Sequence, residues 1–319
     1  MNEPRGLELI ERYKKNYGIA EEAILTEEMI LQHWELEKQL THELLQSKPE
    51  SRWETFEKCY TTLYEKLEWL NRLIDSEKEV ENPDAKYAEW IRLIGSPPKK
   101  IYEVGSGRGE MITYLAKQGY ECRATEVTRE RGEKWVTSIP NLIWAVSDGV
   151  NLERFEPANT YNVVISDQVI EHLHPDDLIE HFKGVLEILV PGGRYIFRTP
   201  HVHSGPSDIS RVFKCEKAMG MHLKEYTYRE VAIKLKQAGF KHIQTTTPNS
   251  RKIKHILGPY YNSNVVHTIY LNYYYVVESL IKLLPTQEMR VKAVEKASRI
   301  SPFLGQVTII AEKSNVLSK

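Results

Sequence analysis

The sequence predicts an α/β fold: a doubly wound, seven-stranded, mostly parallel sheet, with an N-terminal helical domain and a helical insertion before the last strand. Three observations lead there. From Lys100 onward, short β-prone runs alternate with helical stretches, the pattern of β-α-β units in a sheet covered on both faces. The first run closes on a glycine-rich turn, "GSGRG" (105–109). Ahead of it, over residues 5–94, apolar positions recur at spacings of three and four, the period of helices packed by one face.

Taken in order, the helical segment carries Leu40, Leu44 and Leu45 in one stretch and Tyr60, Leu63, Leu67 and Leu70 in another. Proline and polar residues break it at "QSKPES" (46–51) and "VENPDAK" (80–86). Trp34, Trp53, Trp69 and Trp90 are expected to anchor helix packing. The predicted division is residues 1–85 for the helical domain and 86–319 for the sheet domain. The strands follow as "KIYEV", "ECRATEV", "LIWAV", "YNVVIS", "RYIFRT" and "KHIQTTT". Right-handed crossovers then put ligands beyond the carboxyl ends of these strands. "GQVTIIAEK" (305–313) is expected as the seventh strand, after an insertion of about residues 250–300. The insertion carries Tyr260, Tyr261, Tyr270, Tyr273, Tyr274 and Tyr275, whose spacing reads as core or subunit contact, with a lid over a substrate as the alternative.

Composition narrows the classes of partner. The chain has 319 residues, 41 % hydrophobic and 27 % charged, with a formal net charge of −1. It has no basic excess to draw in a nucleic-acid backbone or an anionic membrane. Cys59, Cys122 and Cys215 form no C-x-x-C pair. The first residues carry charges inside their apolar stretch and do not read as a secretory signal. No run of about 20 apolar residues could span a bilayer; residues 264–284, interrupted by His267, Asn272, Glu278 and Lys282, read as an amphipathic helix. A cytoplasmic protein is expected, with no nucleic-acid partner.

The glycine turn suits a ligand that approaches bare backbone, because glycine accepts positive φ and has no side chain in the way. Its spacing is E-x-G-x-G-x-G from Glu103, neither the G-x-G-x-x-G of dinucleotide folds nor a phosphate loop ending in Lys and Ser or Thr.

These residues, followed by "ATEVT", "AVSDGVNL", "YNVVISDQVIEHLHPDD" and "LVPGGRYIFRTPH" in that order, resemble the class I S-adenosylmethionine-dependent methyltransferases. The "EHL" stretch is similar to the subgroup that includes quinone-biosynthesis and natural-product methyltransferases. The resemblance covers roughly residues 88–246 and 305–313. It implies a Rossmann-like sheet and S-adenosylmethionine as cofactor. Cofactor contacts are implied for Glu103, Gly105, Ser106, Gly107, Gly109, Glu126, Val127, Asp148, Gly149, Ser166 and Gln168, with Glu126 on the ribose and Asp148 toward the adenine. The physical reading agrees: this donor has no phosphates, and Glu103 can offset its ammonium and sulfonium charges.

Methyl transfer from a sulfonium is an in-line displacement, so positioning supplies much of the catalysis. A base helps a hydroxyl acceptor, and histidine is the readiest near neutrality. His172 and His174 follow the fourth strand, His201 and His203 the fifth, and His222 lies in "MHLKEYTYRE". His201, His172, His203 and His222 are the candidate bases, His201 first. Arg211 and Tyr226 are candidates to bind the acceptor. His201, His203 and Asp208, with Glu171 or His222, raise a divalent-cation alternative, but imidazoles suit magnesium poorly, and no metal is assigned. The expected activity is O-methylation of a small-molecule hydroxyl, on a sugar or natural product. Alternatives are C- or N-methylation and a silent cofactor-binding scaffold. Homo-oligomers through the helical domain or the insertion are an open expectation.

Overall fold

The computed structural model describes residues 3–75, 82–133, 139–247, 251–298 and 305–315. Helices α1 (Gly6–Tyr17), α2 (Glu27–Leu45), α3 (Arg52–Lys66) and α4 (Glu68–Asp75) come first. Helix α1 stops at Gly18, whose φ of 63° closes the turn that L side chains disfavour. Helix α2 starts where the Thr26 side chain accepts from the Met29 N–H at 3.2 Å. Of the two expected breaks, the first is the short turn Pro49–Ser51. The second overlaps residues 80 and 81, which lie outside the described residues, as do 250, 299 and 300 of the insertion.

Helix α5 (Pro83–Ile94) leads into the alternating part: β1 (Lys100–Val104), α6 (Glu110–Lys117), β2 (Glu121–Glu126), α7 (Arg129–Gly132), β3 (Leu142–Val146), β4 (Tyr161–Asp167), α8 (Leu178–Ile188), β5 (Leu189–Pro200), α9 (Tyr228–Ala238) and β6 (His242–Gln244). The insertion is α10 (Arg251–Leu257), α11 (Asn264–Lys282) and α12 (Gln287–Ser298), and β7 (Gln306–Glu312) ends the sheet. The strand order is β3-β2-β1-β4-β5-β7-β6. The ladders from β3 through β5 are parallel, and β7 runs antiparallel between β5 and β6. The seven-stranded, mostly parallel sheet is therefore as expected, with its reversed strand, β7, inserted between β5 and β6.

Two strands differ from their sequence limits. Strand β5 begins five residues before "RYIFRT", because "LVPGG" pairs with Tyr161 across an irregular register. Strand β6 stops at Gln244, and the three threonines that follow are buried without joining a ladder. Thr245 donates to the Thr308 carbonyl at 2.7 Å and Thr247 to the Tyr261 carbonyl at 3.1 Å. Side-chain hydroxyls there take over the bonding that a longer strand would supply.

The core is layered. One side of the sheet packs Tyr102, Tyr195 and Phe197 against Phe182 of α8, Val231 of α9 and Tyr274 of α11. The other packs Ile101, Ile165 and Ile196 against Trp90 of α5 and Ile112 of α6. Helices α1 to α4 form a third cluster that closes on Ile209, Val212, Phe213 and Met221 of the long segment after β5. Trp34 stacks on Phe213 with ring centres 4.8 Å apart. Arg12 donates to the Val212 carbonyl at 2.7 Å, and Arg52 pairs with Asp177. The N-terminal helices are thus seated on the loops that leave β4 and β5. Among the described residues no helix is long and apolar enough to cross a membrane.

Candidate active site

The carboxyl ends of β1, β2, β3 and β4 open into a cavity of about 350 Å³. Of the glycine turn, Gly105 lines it directly. Gly105, Gly107 and Gly109 all have positive φ, and a Cβ on Gly105 would stand 2.7 Å from a Val169 methyl. No other residue fits both the conformation and the contact. The Ser106 N–H donates to the Thr125 carbonyl at 2.8 Å, tying the turn to β2.

Glu126, at the end of β2, accepts from the Gly107 N–H at 2.6 Å and from the Val127 N–H at 3.2 Å. It is fixed beside the turn, and Val127 lines the same cavity. Asp148 and Gly149 line it from β3. The Asp148 carboxylate also accepts from the Val150 and Asn151 N–H groups at 2.8 and 2.9 Å, which shapes its own loop. Gln168 lines the cavity with φ 57°. Ser166 does not: its hydroxyl lies 2.7 Å from the buried Tyr195 hydroxyl inside the sheet.

Electrostatics favour a cationic ligand. Burial, and then the nearby Asp167 and Glu126 charges, raise the Glu103 carboxyl well above its ordinary range. Burial likewise raises Asp167 against the pull of Arg198. Each of the two acids has one buried oxygen without a hydrogen-bond partner. Neither nearby lysine relieves Glu103, since Lys99 donates to the Ile94 carbonyl at 2.5 Å and Lys100 pairs with Glu121. A positive charge brought in by a ligand would stabilise both carboxylates. Asp167 was missed by sequence reasoning, although its place at the end of the fourth strand was a usable signal.

The roof comes from the N-terminal helices: Glu37, Phe56, Tyr60, Leu63 and Tyr64 line the cavity. No local signal marked them, because nothing in a helical repeat says which neighbour its apolar face meets. Glu37 accepts from the Met221 N–H at 3.1 Å and meets His33 at 2.8 Å. Helix α2 is thereby joined to the segment that carries His222. The insertion buries Leu271, Tyr274 and Ile281 against the sheet and α9, and Tyr274 stacks on Tyr228 at 4.8 Å, in line with the core reading of its tyrosines rather than the lid alternative.

The histidines separate into two groups. His172 lines the cavity, bonds the Met221 carbonyl through Nδ1 at 2.9 Å, and meets the His222 ring edge-on at 4.8 Å. His222 lies 3.0 Å from Glu225 through Nδ1. Burial disfavours its charge, but the Glu225 bond and the Glu171 and Asp208 charges outweigh it and raise its pKa. Glu171 is fully buried, accepts from Thr199 at 2.9 Å, and is pushed up to about 7 by burial. Glu171, His172 and His222 each offer one ligand atom within 4.8 Å of the others, so this trio could hold a divalent cation.

His201 and His203 are not part of this group. His201 is fully buried and contacts Glu278 of α11 at 3.3 Å. His203 is buried with both ring nitrogens unpartnered, and burial lowers its pKa to about 4. The sequence had placed His201 first among the bases; α11 covers it. Asp208 caps its own turn, accepting from Ser210 at 2.9 Å and Gly220 at 2.8 Å. Arg211 is spent on backbone, donating to the Pro206 and Ser204 carbonyls at 2.8 and 2.7 Å. Tyr226 is fully buried, its hydroxyl unpartnered, and it is not among the residues that line the cavity.

A family model described as a methyltransferase domain matches residues 80–245, just over half of the chain. The chain belongs to the methyltransferase-domain family. The glycine turn described above lies within the matched residues. One curated relative, YqeM of Bacillus subtilis (strain 168), carries a provisional methyltransferase name. It is 28 % identical over 126 residues, 38 % of this chain and 50 % of YqeM. The methyltransferase chain thus spans about half the length of the curated relative it matches. Among solved structures, the 1,6-didemethyltoxoflavin-N1-methyltransferase of Burkholderia thailandensis overlays 84 % of this chain and 91 % of its own, at 13 % identity and a TM-score of 0.47. A SAM-dependent methyltransferase of Archaeoglobus fulgidus overlays 80 % of this chain and 99 % of its own, at 16 % identity and a TM-score of 0.46.

Proposed function

We propose that this methyltransferase transfers the methyl group of S-adenosylmethionine to an oxygen of a small-molecule acceptor, a sugar or natural-product hydroxyl, with His222 and His172 managing the acceptor's proton. One observation carries the reading: the cavity that joins the glycine turn, Glu126 and Asp148 also contains His172, with His222 edge-on behind it. In-line transfer needs the nucleophile about 3 Å from the methyl carbon. The Nδ1 contacts of the two rings, to the Met221 carbonyl and to Glu225, suit rings that direct Nε2 away from those partners. The donor's adenosine would lie along Glu126 and Asp148, and its methionine tail toward Glu103 and Asp167. Membership of the "EHL" subgroup rests on "IEHL" at 170–173. The helices before residue 86 would act as a cap domain over the donor.

A second reading is favoured by the Glu171, His172 and His222 trio: a divalent cation there would orient the acceptor oxygen instead of a free base. Calorimetric titration with S-adenosylmethionine, then S-adenosylhomocysteine formation with a panel of hydroxyl, amine and carbon acceptors, tests the whole proposal. Micromolar binding and turnover with a hydroxyl acceptor are expected. No binding at millimolar donor would overturn it, and turnover confined to amines or carbon would remove the oxygen assignment. Loss of turnover in EDTA with rescue by Mn²⁺ would select the cation; turnover indifferent to both would select the base.

A further inference from the structure

We infer that the outer face of α11 docks on an anionic lipid surface. Helices at a protein surface ordinarily bury one stripe and offer charge on the other, as α2 does with Glu28 and Glu35 and α9 with Arg229 and Lys236. Helix α11 does not. Its inner stripe, Val266, Leu271, Tyr274 and Ile281, is buried in the core. From Asn264 to Leu280 every exposed position is uncharged, and its one acid, Glu278, is buried, accepting from the Tyr228 and Arg229 N–H groups. Val265, Ile269, Tyr273, Val276 and Leu280 recur along the outside at spacings of three and four. Ile269 is 59 % exposed, Val276 58 %, Leu280 61 %, and Leu283 just beyond is 79 % exposed. An outward strip of this length is more apolar surface than scattered single residues account for.

Charge selects the occupant. Residues 251–298 hold seven basic and three acidic side chains, one of the acids being the buried Glu278, in a chain whose net charge is −1. Lys252, Lys254 and Lys282 are exposed at the two ends of the strip, followed by Lys292 and Lys296. An apolar strip flanked by lysines matches the acyl boundary and headgroups of an anionic bilayer. A second copy of the same basic face would be repelled. The helix would lie in the interface plane, and the domain would stay outside the bilayer. This inference is independent of the acceptor's chemistry.

The test is flotation of the full-length protein with vesicles of phosphatidylcholine alone and of phosphatidylcholine mixed with phosphatidylglycerol, whose anionic headgroups give the negative surface potential that attracts lysines. Binding at least tenfold stronger to the anionic vesicles is expected, weakening in high salt. The Ile269→Asp/Leu280→Asp variant should lose it while keeping the wild-type circular dichroism and melting temperature, since both positions are exposed. Equal absence of binding to both vesicles overturns the inference. So does a dimer in light scattering that the same variant dissolves while vesicle binding is unchanged.

Discussion

Two pairs of histidines stand at the carboxyl edge of one sheet and meet opposite fates. His172 and His222 face each other beside the donor cavity, with Glu225 and the Met221 carbonyl fixing their Nδ1 atoms. His201 and His203, with ring centres 5.2 Å apart, are both buried, His201 against Glu278 of α11 and His203 with both ring nitrogens unpartnered. In sequence the second pair is the more suggestive, following its strand directly in a long loop. The difference teaches that proximity to the sheet edge does not make a histidine available; what packs over it does. On the proposed reading the front pair would exchange a proton, while His201 of the rear pair meets Glu278 of the insertion.

The sharpest way to break this contrast is to delete one ring from each pair. His222→Ala should lower turnover by about 10² to 10⁴-fold, the worth of a general base, with donor affinity changed by no more than a few-fold in calorimetry. His203→Leu should leave turnover of the folded protein within about threefold. A reversal of the two outcomes would exchange the assigned roles.

A smaller effect separates the pairs by stability. Glu278→Ala strands the Tyr228 and Arg229 N–H groups along with His201 and should cost about 3 kcal/mol in urea unfolding. Turnover per folded molecule should hold. A loss of turnover at full stability would mean that the rear pair serves the reaction after all.

The pH dependence of stability should carry both signs. His203 falls from its ordinary 6.5 to about 4 on folding, so between those values the unfolded chain binds more protons. Its contribution is whole above pH 6.5 and is lost as the pH falls toward 4. Glu171 rises from 4.5 to about 7; its contribution is whole below pH 4.5 and is lost as the pH rises through 7. In thermal melts, His203→Leu should flatten the acid-side slope and Glu171→Gln the slope toward neutrality. Slopes unchanged in both variants would reject the assignments.

The smallest expected effect is a shift in the acid limb of activity. Because the Glu225 bond helps raise His222, Glu225→Gln should move the limb of kcat to lower pH by about one unit, within the usual span of such shifts. A limb that stays in place while kcat falls would make Glu225 a merely structural residue.

Much of this site was legible beforehand because its parts are local. The glycine turn needs positive φ at three alternate positions, and Glu126 lies 19 residues after the Gly107 whose N–H it accepts. Both are set by short stretches of chain. Ser166 and Arg211 were misplaced for the complementary reason. Whether a strand-end serine points to the cavity or to Tyr195, and whether an arginine meets a substrate or its own loop's carbonyls, depends on neighbours that spacing does not encode. The roof of Phe56, Tyr60 and Tyr64 was illegible in the same way.

By itself, then, the sequence determined the alternation of strands and helices, the glycine turn and the acids at the ends of the first three strands. These depend on backbone conformation and on periods of two or 3.6 residues. Only the tertiary structure decided which histidines stand at the cavity and which are covered, because Glu278 meets His201 across 77 positions of chain and Glu37 meets Met221 across 184. Contacts that distant arise when whole elements pack, and the free energy that selects them belongs to the buried surface as a unit.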